Sequence, residues 1–100
     1  MDLTIHGEYN FPLDFSKNTK LNKLILIMDC KNYNHRVELS KNIKLNYLEI
    51  DMGFYYDHKI DLSNSTELTY LNLSMINYKH PIDLSKNSNL RTQKIKNMII

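Results

Sequence analysis

The sequence has no tryptophan or alanine, one cysteine, two glycines and two prolines. A lone Cys30 excludes an internal disulfide and a cysteine-built zinc site, and a free thiol suits a reducing cytoplasm. With only Gly7 and Gly53 there is no glycine-rich loop to cradle a phosphate. No motif pairs a nucleophile with its base; Cys30 and His35 merely share a segment. Neither an enzyme nor a bound cofactor is therefore expected. No apolar run approaches the length that crosses a membrane. The start, Met1 to His6, has no basic stretch followed by an apolar one, so neither a secretory leader nor membrane contact is expected. Lys and Arg number 13 against 11 Asp and Glu, a net charge of +2. That balance is too even for phosphate neutralisation alone to drive nucleic-acid binding.

What the chain has is repetition. Tyr33-Asn34-His35-Arg36-Val37-Glu38-Leu39-Ser40-Lys41-Asn42 is rewritten as Tyr56-Asp57-His58-Lys59-Ile60-Asp61-Leu62-Ser63-Asn64-Ser65. It returns as Tyr78-Lys79-His80-Pro81-Ile82-Asp83-Leu84-Ser85-Lys86-Asn87. Tyr9 opens a fourth copy, with Phe11 in the place of the histidine. Such self-similarity marks a stacked repeat protein, in which each unit buries its apolar side against its neighbours. The units read as one domain, 1–100: an incomplete unit 1–8, full units 9–32, 33–55 and 56–77, and a degenerate unit 78–100.

The tyrosines Tyr9, Tyr33, Tyr56 and Tyr78 stand 24, 23 and 22 residues apart. Yet the span from Tyr to Met is 19 residues each time: Tyr9 to Met28, Tyr33 to Met52, Tyr56 to Met75. All the shortening falls in the loops Asp29 to Asn32, Gly53 to Tyr55, and Ile76 to Asn77. A stacked core tolerates length change only where the chain leaves it, so these loops are expected side by side on one edge.

Each unit contains two extended runs. In one, Tyr, His, a β-branched residue and Leu recur two apart, with polar residues between them, as on a strand with one buried face. A Ser-Lys-Asn or Ser-Asn-Ser turn follows. The other run is Leu-x-x-Leu-x-Leu-x-Met: Leu21, Leu24, Leu26, Met28; Leu45, Leu48, Ile50, Met52; Leu68, Leu71, Leu73, Met75. It decays in the last unit to Leu90, Gln93, Ile95 and Asn97. This pattern resembles the leucine-rich repeat, and Asp-Leu-Ser-Lys-Asn-x-x-Leu is particularly similar to bacterial arrays of short period. The resemblance runs from about Leu3 to about Ile95 and implies a mainly β solenoid: parallel strands, about four repeats of 22–24 residues, little or no helix. It further implies that the Leu-x-Leu strands line a concave face that contacts protein partners. One feature departs from the family. The asparagine expected three residues after Leu-x-Leu is replaced by Asp29, Gly53, Ile76 and Met98, while Asn18, Asn42 and Asn87 recur after the other run. Two registers are thus open. The leucine three residues before each strand favours Leu24-Ile25-Leu26, Leu48-Glu49-Ile50 and Leu71-Asn72-Leu73 as the lining.

Stacking turns sequence columns into ladders about 4.8 Å per step. His35, His58 and His80 form one ladder with no carboxylate in its column, and strand-spaced imidazoles do not converge tetrahedrally. Packing and hydrogen bonding are expected of them rather than metal. Met28, Met52 and Met75 are expected in the core. Asp14, Glu38, Asp61 and Asp83 are expected to form solvated ion pairs with Lys17, Lys41 and Lys86.

The outward positions of the favoured strands behave differently, because they change from unit to unit. They are Lys23, Ile25 and Ile27; Tyr47, Glu49 and Asp51; Tyr70, Asn72 and Ser74; and Thr92, Lys94 and Lys96. Unit-specific residues on a repetitive scaffold mark a recognition surface, with Tyr47 and Tyr70 adjacent as anchors. A protein partner is expected there, and a chain of this size suits a stoichiometric inhibitor or adaptor. Self-assembly through the open ends is the alternative, led by the C-terminal edge and the apolar Met98-Ile99-Ile100. Nucleic-acid binding through Arg91, Lys94 and Lys96 is a weaker third.

Overall fold

The computed structural model describes residues 1–30 and 32–98. It contains five strands: β1 (Asp2–Gly7), β2 (Lys23–Met28), β3 (Tyr47–Met52), β4 (Tyr70–Tyr78) and β5 (Thr92–Met98). They form one sheet in chain order, every pair parallel. Parallel neighbours need a crossover, and here each crossover is a loop, the Tyr-His run (Phe11 in place of His in the first) and then a corner. No helix occurs among the described residues, so none there could cross a membrane. The architecture is a β-solenoid of about four turns.

Register follows the repeat. Leu24 faces Leu48, and Leu48 faces Leu71; Leu26, Ile50 and Leu73 form the next row. Alternation sends these rows inward, and they are fully buried, with Met28, Met52 and Met75 behind them. Each such side chain contributes on the order of 2 kcal/mol by leaving water. Leu21, Leu45 and Leu68 close the core at the corner before each strand.

The corners are consecutive tight turns. The amide of Asn42 donates to the carbonyl of Leu39, and that of Leu45 to the carbonyl of Asn42. The same pair recurs at Phe15/Asn18/Leu21, Leu62/Ser65/Leu68 and Leu84/Asn87/Leu90. The recurring asparagines bind these corners together. Asn42 Nδ2 donates to the carbonyls of Phe15 and Asn18, each at 3.0 Å, and Asn87 Nδ2 to those of Leu62 and Ser65, each at 3.0 Å. A side-chain ladder of this kind replaces backbone pairing where the chain bends too sharply for a strand. It also explains why asparagine follows the Tyr-His run rather than the strands.

The Tyr-His run buries alternate residues as expected (Tyr33, Val37, Leu39) but does not form a regular ladder. Tyrosine hydroxyls do that work. The Tyr56 hydroxyl accepts the Val37 amide at 3.1 Å and donates to the His35 carbonyl at 3.0 Å. Tyr78 repeats the bridge one turn on, accepting from Ile60 at 3.1 Å and donating to His58 at 2.8 Å. Tyr33 makes only the donor half, to the Phe11 carbonyl at 3.1 Å. Each hydroxyl thus fills a gap between turns that backbone alone leaves open, and the rings stack at centroid distances of 6.5 and 6.2 Å.

Two expectations need correction. Among the described residues the acidic column makes no close ion pair with lysine. Asp14, Glu38, Asp61 and Asp83 instead accept the amide two residues ahead, from Ser16, Ser40, Ser63 and Ser85. A backbone donor held at fixed distance outcompetes a flexible, solvated ammonium. The third loop is absorbed into β4. Ile76 and Asn77 continue the strand through an irregularity between Ser74 and Tyr78. Asn77 takes φ of 61°, a left-handed conformation that asparagine tolerates well. The histidine column holds no carboxylate, and from the neighbouring column Asp57 lies 3.0 Å from His80 Nε2. Lys31, in the first loop, and the apolar tail residues Ile99 and Ile100 lie outside the described residues.

Candidate functional site: the outer face of the sheet

The strands alternate, so whatever is not in the core stands on the opposite face of the sheet. Three rows cross it. The first is Asp2, Lys23, Tyr47, Tyr70, Thr92; the second Thr4, Ile25, Glu49, Asn72, Lys94; the third His6, Ile27, Asp51, Ser74, Lys96. The structure therefore brings together all the residues expected to bind a partner: Lys23, Ile25, Ile27, Tyr47, Glu49, Asp51, Tyr70, Asn72, Ser74 and Lys94. Most of them are half-buried, while Asp51, Lys94 and Lys96 are exposed.

Tyr47 and Tyr70 stack face to face, with centroids 4.2 Å apart and planes 4° from parallel. Lys23 places its ammonium 4.5 Å from the centre of the Tyr47 ring on β2's side. The stack spans three strands. An aromatic pair contributes about 0.5–1.5 kcal/mol beyond its buried area, and an exposed cation over a ring about 0.5–1 kcal/mol. The rings are held rigid, which lowers the entropy lost when a partner packs on them. Tyr47 donates its hydroxyl to Glu49 Oε1 at 3.4 Å. Partial burial first, then Tyr70, then the Glu49 charge keep the Tyr47 phenol above its ordinary value.

Charge is graded across the face. Although Asp51 is exposed, partial desolvation, then the negative charges of Asp29 and Glu49, raise its carboxyl above the usual range, and His6 acts against this. His6 Nε2 lies 3.3 Å from Asp29. Lys94 and Lys96 occupy the same rows two strands away on β5. Those lysines take no part in the ion pairs seen among the described residues, His6–Asp29 and His80–Asp57. The face thus carries rings, isoleucines, carboxylates and ammoniums side by side.

Sequence reasoning missed part of this surface. Asp2, Thr4 and His6 alternate with Leu3 and Ile5, and β1 pairs with β2 in full register, so the face extends by one strand beyond the residues expected to bind. Asp29 reaches the face only because the chain leaves β2 beside His6, which no spacing shows.

The remaining columns are structural. Each histidine packs edge-on against the tyrosine of its own unit, with centroids 5.2, 5.7 and 5.4 Å apart. Each also contacts a carbonyl of the preceding turn through Nε2: His35 to Asn10, His58 to Asn34, His80 to Asp57. A carbonyl only accepts, so Nε2 carries the proton. Among the described residues no three His, Cys, Asp or Glu side chains group so as to hold a metal ion. Clefts also lie away from the face. One of about 260 Å³ is walled by residues of both signs, including Arg36, Lys59 and Asp83. Another, of about 510 Å³, opens beside the strongly exposed Tyr55. No family model, curated protein or solved structure matches the chain.

Proposed function

We propose that the chain is a protein-binding module of the leucine-rich-repeat type, working through the outer face of its sheet. The observation that carries this reading is the contrast between columns. Rows that hold the solenoid together repeat their residue type turn after turn, whereas the three outward rows, the Tyr47–Tyr70 pair apart, change from strand to strand. Scaffold requirements do not call for that variety, and recognition does. Tyr47 and Tyr70 are the anchors, and Ile25, Ile27, Glu49, Asp51, Asn72, Ser74 and Lys94 supply shape and charge around them. With no catalytic grouping in view, action by occupancy is the mechanism. The chain is a small stoichiometric inhibitor or adaptor, placed in the cytoplasm where the free Cys30 stays reduced.

The test is affinity capture of the tagged protein from its native host, with Tyr47→Ala/Tyr70→Ala as the paired control. One stoichiometric protein, retained by the parent and lost by the double variant, is expected. Equal recovery by both would remove these tyrosines from recognition.

A second reading rests on the last turn. Ile82, Leu84 and Leu90 are only partly covered there, and Ile95 is 38% exposed, although their columns are buried in the turns before. Association through this rung would cover them. An Ile95→Lys variant that assembles like the parent would dispose of it.

A further inference from the structure

From β3 to β5 the charges of the outer face are arranged in strips, while Asp2 and Lys23 stand beyond them on β1 and β2. Glu49 and Asp51 occupy β3, and Lys94 and Lys96 occupy the matching rows on β5, with the neutral Asn72 and Ser74 between them on β4. Strips two strands apart are separated by about 10 Å, too far to pair within one molecule. A strip pattern with opposite signs on either side of a neutral line is its own complement under a two-fold rotation about that line.

We propose that a second copy of this chain occupies the outer face, docked sheet to sheet about a two-fold axis parallel to β4. The proposal rests on the reading of this face as the recognition surface. The rotation keeps strand direction, so the sheets meet in the aligned manner common to sheet pairs. It lays β3 of each copy over β5 of the other. Glu49 then faces Lys94 and Asp51 faces Lys96, and symmetry makes each of these contacts twice. Along the axis Asn72 meets its own copy, and an amide both donates and accepts, so the self-contact can be satisfied. Tyr47 comes over Thr92 of the second copy, where the short side chain leaves room for a ring. The other in-plane two-fold, perpendicular to the strands, would place acids on acids and is excluded by repulsion.

The area sets the strength. Turned about β4, only β3, β4 and β5 overlap between the copies, a patch of roughly 15 by 20 Å. About 600 Å² in total would be covered, below the ~1,200 Å² of stable interfaces. The dimer is therefore weak, held largely by its charges and weakened by salt.

Sedimentation velocity on the full chain up to millimolar concentration reads this directly. The parent is expected to dimerise at low salt and to lose at least about tenfold in affinity at high salt. Glu49→Lys/Asp51→Lys makes both strips positive, and Lys94→Glu/Lys96→Glu makes both negative, so each variant alone is expected to be monomeric. Mixed in equal amounts, the two variants are expected to form a one-to-one dimer. That rescue cannot come from misfolding, and circular dichroism checks each variant beforehand. A parent that stays monomeric at millimolar concentration and low salt overturns the proposal while leaving capture of a foreign protein intact. A dimer that survives either charge reversal, or a mixture that stays monomeric, overturns it too. Loss of that surviving dimer in Ile95→Lys would assign it to the last rung.

Discussion

Removing one oxygen atom from Tyr56 should cost more than its size suggests. The hydroxyl satisfies two backbone groups of the preceding turn, the buried Val37 amide and the partly buried His35 carbonyl. In Tyr56→Phe the ring still fills its place between Tyr33 and Tyr78, so the core keeps its shape. The Val37 amide, however, loses its acceptor in a site that water does not reach. An unpaired buried donor costs about 1–3 kcal/mol, and the lost bond to the carbonyl adds about 0.5–1.5 kcal/mol. A destabilisation of about 2–4 kcal/mol is expected, a large share of what a domain this size has. The fold supplies graded controls. Tyr78→Phe removes the same two bonds and should cost as much. Tyr33→Phe removes only one bond, to Phe11, and should cost about 1 kcal/mol. Tyr9 is exposed and has no preceding full unit to bridge, so Tyr9→Phe should fall within about 0.5 kcal/mol of the parent. Urea denaturation of the four variants, with unchanged slopes, measures the series. Equal costs for Tyr33 and Tyr56 would refute the bridging role, leaving the ladder explained by ring packing alone.

Other consequences follow from the same ladders. The asparagine ladder is interrupted at Ser65, whose buried Oγ has no hydrogen-bond partner. Ser65→Asn should let an amide reach the carbonyls of Leu39 and Asn42 and raise stability by about 1–2 kcal/mol, read as a higher urea midpoint. A lower midpoint would show that this corner lacks the room its neighbours have. Burial pushes the Tyr56 phenol from 10.0 up to about 12. The unfolded chain therefore loses that proton first. Its contribution to stability is complete below pH 10 and is lost as pH rises through about 12. Tyr56→Phe should remove that part of the alkaline slope, and an unchanged slope would contradict the assignment. At the acid end, amides of Ser16, Ser63 and Ser85 hold Asp14, Asp61 and Asp83 below their ordinary value of 3.8. That contribution is present above pH 3.8 and falls away as pH drops below it. Asp61→Asn, which keeps an acceptor oxygen, should be less sensitive to acid, and equal sensitivity would count against the turn as the cause.

The parts of the fold legible in the sequence were those that periodicity encodes. Leu24, Leu48 and Leu71 stand in one register, and Tyr47 meets Tyr70, because equal spacing in a stacked chain becomes adjacency in space. What escaped was partner choice. A spacing says where an Asp61 side chain sits but not whether it turns to a lysine or to the Ser63 amide two residues on. Nor does it say that a tyrosine hydroxyl will bridge the turn before it, since that depends on how far apart the backbone runs. Asp57 went unnoticed beside His80 because its column holds Asn34, Asp57 and Lys79, a different residue in every unit. The loop at Ile76–Asn77 became strand because two residues are too few to leave the sheet.

The account divides the tyrosines into two groups, one that holds the solenoid and one that faces a partner. Comparing Tyr56→Phe/Tyr78→Phe with Tyr47→Ala/Tyr70→Ala, for both unfolding free energy and recovery of the host protein, tests that division directly. The first pair should lose stability and keep the partner as long as it is folded. The second should lose the partner at a cost in stability of no more than about 1–2 kcal/mol. Partner loss in the folded Tyr56/Tyr78 variant, with full binding by the Tyr47/Tyr70 variant, would contradict it.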